Sequence, residues 1–142
     1  MKSTTHQTGI SLPKSMFVAL LLSTLANLVL LSVGKPFTQV PATFATLSVG
    51  PVTAWSILGA LGASLVYALV RKYAVRSKRT FTIIALCTLV LSFIPDLMLL
   101  SVTSGMFAGA TWSAVMLLML MHVVEAIITI SVLVKLTRDV SE

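Results

Sequence analysis

The stretch TWSAVMLLMLMHVVEAIITISVL, residues 111–133, decides the fold. Its 23 residues hold two ionisable side chains, His122 and Glu125, in a run otherwise made of apolar and hydroxyl side chains. A helix needs about 20 such residues to cross the hydrocarbon of a bilayer. The three-residue spacing puts His122 and Glu125 on one helical face, which leaves the rest of the surface for apolar neighbours.

Outward from that run, three more of the same kind stand at 15–33, 50–70 and 80–102. Apolar residues make up 57% of the 142-residue chain and charged residues 10%, against about 25% charged in a soluble domain. The balance excludes a disordered chain and argues against a soluble globular one. Four spans need roughly 80 apolar-rich residues, and little sequence then remains for a soluble catalytic domain. The expected fold is all-α: a four-transmembrane-helix bundle over 15–134, with polar tails at 1–14 and 135–142. A cleaved signal peptide is the rival reading of the first run. That run is too long, however, and no small-x-small site leads into a polar start.

The connections carry the orientation. Pro36 and Pro41 deter a continuous helix through 34–49, so this segment reads as a loop with a short helix near 42–47. Between the second and third spans lie Arg71, Lys72, Arg76, Lys78 and Arg79, five positive charges in nine residues. The link at 103–110 has two glycines and no charge. Counting Lys and Arg puts Lys2, Lys14, the five loop residues, Lys135 and Arg138 on one side and Lys35 alone on the other. Nine against one predicts that both termini and the basic loop face the cytoplasm. Trp55 and Trp112 then fall near the outer ends of their spans, and Tyr67 and Tyr73 near the inner face, as interfacial aromatic belts do.

Within the spans the polar residues are few: Asn27, Asp96, His122 and Glu125. At 1.5 Å per residue, Asn27 and Asp96 lie roughly 9 Å from the outer ends of their spans, and His122 and Glu125 roughly 16 and 21 Å in. Charges at such depth point into the bundle and pair with one another or with water. Read as function, the four form a proton-binding cluster, because imidazole titrates near neutral pH and intramembrane carboxyls mark ion and substrate pathways. Read as structure, they are hydrogen-bonding glue between spans 1, 3 and 4.

Other chemistries fit less well. The single cysteine, Cys87, excludes an internal disulfide, a CxxC redox pair and a thiolate zinc site, and reads as a small buried packing residue. Asp96, His122 and Glu125 would have to converge from different depths to hold a metal. His6 lies in the polar tail, so no bis-histidine haem fits within the bilayer. No metal, cofactor or nucleic acid is expected. Pro95 kinks span 3 or packs as an ordinary membrane-helix proline. Met98, Met106, Met116, Met119 and Met121 read as adaptable packing. Gly59, Gly62 and Ala63, with Ser56, Ala60 and Ser64, permit a close helix approach, either inside the bundle or at a homo-oligomer seam. Arg71, Lys72, Arg76, Lys78 and Arg79 suit anionic lipid headgroups.

Asn27, the proline-bearing outer loop, the basic loop, Ile94-Pro95-Asp96 and Met121-His122-Val123-Val124-Glu125 together resemble small four-span bacterial membrane proteins grouped as functionally uncharacterised. The resemblance covers residues 14–137 and implies a bacterial inner-membrane location, without a substrate. Small multidrug exporters of similar length place a carboxylate early in span 1, where this chain has none. The expected function is therefore a non-enzymatic accessory or interaction module of the inner membrane. The alternative is a proton-linked transporter or ligand binder with a cavity among spans 1, 3 and 4, lined by Asn27, Asp96, His122 and Glu125.

Overall fold

A computed structural model describes residues 9–42 and 44–137. The first eight residues, with Lys2 and His6, and Arg138 with the rest of the C-terminal tail lie outside the described residues. Four helices follow in order: α1 (Leu12–Gly34), α2 (Val49–Tyr73), α3 (Ser77–Met98) and α4 (Trp112–Ser131). Single 3-10 turns extend the run at Lys35–Phe37 and Leu99–Ser101, and a wide π turn continues α4 over Val132–Leu136. With these turns, each span is 25 or 26 residues long and apolar enough to cross a membrane.

The helices begin and end where local chemistry allows. α1 starts at Leu12, three residues before the expected run, because Pro13 sits in the first turn, where no backbone N–H is needed. α2 and α3 run deep into the basic loop and leave only Ala74-Val75-Arg76 between them. Arg and Lys are good helix formers and no Gly or Pro interrupts them, so the loop is two helix ends and a tight turn. Arg71 and Lys72 lie in the last turn of α2, where positive charge suits the helix dipole. Thr111 caps α4, its side chain accepting from the Ala114 backbone N–H at 3.2 Å.

α1 packs most extensively on α2 and α4, and α3 packs mainly on α4. The buried face of α1 is a ladder at four-residue spacing, Ser15, Ala19, Ser23, Asn27 and Leu31, and that of α2 is Val52, Ser56, Ala60, Ser64 and Tyr67. Small side chains at this spacing let two backbones approach closely. Ser15 and Ser23 satisfy their hydroxyls along their own helix, as Ser23 Oγ donates to Ala19 O at 2.8 Å, and Ser56 accepts from Asn27, while Ser64 Oγ is buried with no partner. Hence Ser56, Ala60 and Ser64 serve an internal helix contact, while Gly59, Gly62 and Ala63 lie on the neighbouring face of α2.

Two apolar clusters close the ends of the bundle. One joins Leu31, Phe44, Leu47, Val52, Ala114, Leu117, Leu118 and Met121; the other joins Ala19, Tyr67, Phe81, Val132 and Leu133. The loops stitch the first end shut. Thr111 Oγ1 and Ser113 Oγ donate to Thr38 O at 2.5 and 3.0 Å, and Ala45 N donates to Met106 O at 3.0 Å. Gly109 has a positive φ and lies so close to Pro41 that a Cβ would collide with its ring. At the opposite end Ile10 N donates to Leu136 O at 2.9 Å, and Ser15 and Thr137 share a hydroxyl bond of 2.7 Å. The two ends of the described chain therefore meet on one side of the bundle.

Several sequence expectations are corrected. Cys87 is exposed rather than buried, because α3 buries only Phe81 and Asp96. Among the described methionines only Met121 is in the buried core, while Met98, Met106 and Met116 are exposed. Tyr67 is a core residue rather than a belt residue: its ring lies 4.8 Å from that of Phe81, with the Arg71 guanidinium 5.8 Å above it.

Candidate functional site

Between the two apolar clusters lies a polar layer. Asn27 Nδ2 on α1 donates to Ser56 Oγ on α2 at 2.8 Å and to Glu125 Oε2 on α4 at 3.2 Å. One amide thus ties three helices together. One turn toward the N-terminus of α4 on the same face, His122 Nε2 stands 3.3 Å from Asp96 Oδ2 on α3. This is ion-pair distance, although the contact falls outside hydrogen-bond geometry.

All four expected polar residues therefore come together, but as two pairs. The estimated depths put Asn27 and Glu125 about 12 Å apart along the membrane normal, yet they are bonded. Two effects close that gap. The 3-10 turn at Lys35–Phe37 lengthens the outer end of span 1. In addition, side chains lean toward the N-terminus of their own helix, so those on antiparallel α1 and α4 lean toward each other. The same lean brings Asp96 and His122 into register.

A cavity of about 820 Å³ opens beside this layer. Its walls are α2, α3 and α4 rather than spans 1, 3 and 4; α1 contributes Asn27 through the gap between α2 and α4. Asp96, His122, Glu125 and Thr129 face it, and the remaining lining is largely apolar. The lining residues Trp55, Leu58 and Ile84 are 68%, 57% and 37% exposed, so the cavity is open along the α2–α3 seam. α2 and α3 meet where Tyr67 touches Phe81, and little of α3 is covered elsewhere.

Gly59 shapes the polar wall. A Cβ built there would collide with Glu125 Oε1, so only glycine lets the carboxylate lie against α2. Gly62, one turn inward, also lines the cavity, and a Cβ there meets nothing within 4 Å. Sequence reasoning treated Ser56 only as a small residue and did not single out Thr129. Ser56 is one turn from Gly59 on a helix facing Asn27, and Thr129 is one turn from Glu125; those spacings were the available signals.

Asp96 and His122 supply two metal-type donors, while Glu125 turns toward Asn27. No group of three His, Cys, Asp or Glu side chains converges among the described residues.

Fold and site together define a multi-pass membrane protein, a four-helix bundle with a polar layer at the wall of a lateral cavity. The chain belongs to DUF6069, a family of unknown function, whose family model matches residues 10–139. No curated protein and no solved structure matches the chain.

Proposed function

We propose that this chain is a non-enzymatic accessory protein of the bacterial inner membrane that binds a small amphipathic molecule entering from the bilayer. The observation that carries the reading is the 820 Å³ cavity with one polar wall in an apolar lining. Ligand pockets commonly measure about 300–1,000 Å³ and place a few polar groups in such a lining. The opening between α2 and α3 faces lipid in a spanning bundle, so the ligand reaches the site without crossing an aqueous face. Both termini and the basic turn lie in the cytoplasm by the charge count, with Arg71, Lys72, Arg76, Lys78 and Arg79 against anionic headgroups.

Gly62→Leu tests the reading, because the added side chain projects into open cavity. Wild type purified from membranes is expected to retain a small molecule detectable by mass spectrometry after extraction. Gly62→Leu should fold and melt like wild type and lack that molecule. Equal retention in both would overturn the proposal. A homo-oligomer seam at Gly59, Gly62 and Ala63 would use the same opening, so ligand and a second copy should compete in a sizing experiment.

Proton-linked transport is the second reading, favoured by the Asp96–His122 contact at the cavity wall. It requires proton uptake by the folded protein between about pH 5 and 8, where imidazole titrates. Loss of that uptake in His122→Ala or Asp96→Asn would support it, and no uptake in wild type would remove it.

A further inference from the structure

The unpartnered polar atoms on the cavity wall are all oxygens. Asn27 Oδ1, Thr46 Oγ1, Glu125 Oε1 and Thr129 Oγ1 have no hydrogen-bond partner, and Asp96 Oδ2 has only the His122 contact; Thr46 stands apart, in the loop before α2. Asn27 and Thr129 are 3% exposed and Asp96 7%, so bulk solvent does not reach them freely. The amide donors of Asn27 are already engaged by Ser56 and Glu125. Two carboxylates and one imidazole face the space, and no lysine or arginine lines it among the described residues. Its donors are hydroxyls and the His122 ring, and its acceptors include two carboxylates with no cationic side chain opposite them.

Resting on the ligand-binding reading above, we infer that the cavity takes an amphipathic cation, a protonated primary amine on a hydrocarbon body. An ammonium group offers three N–H donors, and the wall offers three unpartnered oxygens on Asn27, Glu125 and Thr129. Glu125 and Thr129 share one face of α4 at a four-residue spacing, and Asn27 reaches Glu125 directly. Gly59 gives the Glu125 carboxylate room to lie against α2 at the cavity wall. The hydrocarbon body lies along Leu58, Ala63, Val66, Ile84 and Leu89, in the seam that opens to lipid. A carboxylate-headed or phosphate-headed lipid would meet like charge at the same wall.

The test uses the full chain in lipid nanodiscs, with Trp112→Phe leaving Trp55 as the sole tryptophan on the cavity wall. Decylamine, decanol and decanoate, each carrying a terminal bromine, are titrated in, and contact quenching of Trp55 is read. Saturable quenching is expected for all that enter, with the amine tighter than the alcohol by about tenfold, the scale of one charge-assisted contact. Glu125→Gln should bring the amine-to-alcohol ratio close to one. Thr129→Val should lower it less, and Cys87→Ser, on the outer face of α3, should leave it unchanged.

An amine no tighter than the alcohol in wild type, or decanoate tightest of the three, overturns the head-group assignment while the cavity reading stands. Absence of saturable quenching by any of the three removes both. The wild-type comparison needs no variant, so a misfolded Glu125→Gln would not protect the inference.

Discussion

Asn27 is a buried amide whose two donors go to two different helices. Its energetic role follows from what each partner loses without it: Ser56 loses its donor, and Glu125 Oε2 loses the amide that bonds it. Interhelical hydrogen bonds in membrane bundles are worth about 0.6 kcal/mol on average and up to about 1.7. A double-mutant cycle of Asn27→Ala and Glu125→Ala, read from unfolding in mixed micelles, is therefore expected to give a coupling near 0.6 kcal/mol. Zero coupling would mean that the two side chains do not meet. Asn27, Asp96, His122 and Glu125 were legible in the sequence because amide and ionisable groups are conspicuous in apolar runs. Their pairing was not legible, because it depends on helix-end turns and side-chain lean rather than on residue spacing. Ser56 was hidden for another reason: a helical serine usually bonds its own backbone, and its one-turn spacing from Gly59 is all that separates it from Ser23.

At the scale of the element, α2 carries two kinds of small residue that the sequence runs together. Ser56, Ala60 and Ser64 close against the bundle, and Gly59 and Gly62 open onto the cavity. The distinction rests on which way each face turns, and spacing alone gives the stripe without the direction. Gly59→Ala separates packing from site geometry. Alanine gains about 1 kcal/mol of helix propensity over glycine, and the atom it displaces is the mobile end of a glutamate. The variant should therefore fold with stability within about 1 kcal/mol of wild type, yet lose ligand affinity as Glu125 is pushed off α2. Unaltered affinity would show that the carboxylate has other room. α3 is the element least covered, and Cys87 reports it. In nanodiscs a lipid-soluble maleimide is expected to label Cys87, with bound ligand giving no protection, because Cys87 does not line the cavity. Protection by ligand would place Cys87 on the wrong side of the helix.

For the whole molecule, the four-span outline was readable from composition because a bilayer demands long apolar runs and leaves few alternatives. The shape of the bundle was less readable: the cavity arises because α3 packs somewhat more on α4 than on α2, leaving the α2–α3 seam open beside the polar layer. Hydropathy does not encode that choice, since lipid and a neighbouring helix look alike to an apolar side chain. Orientation belongs to this scale, and two independent arguments bear on it. The bonds Ile10–Leu136 and Ser15–Thr137 need both ends of the bundle's chain on one face. The nine-to-one distribution of Lys and Arg says which face that is. Fusing a fluorescent protein or alkaline phosphatase to each terminus tests both together. Bright fluorescence and inactive phosphatase are expected at both ends. Opposite results at the two termini would break the even-span bundle itself. Agreement with active phosphatase would keep the bundle and invert it. Replacing Arg71, Lys72, Arg76, Lys78 and Arg79 with Gln leaves four basic residues against one (nine minus five), so the variant should insert in the same sense but less uniformly. A uniform population would show that the termini alone set the orientation and free the basic turn for lipid headgroups.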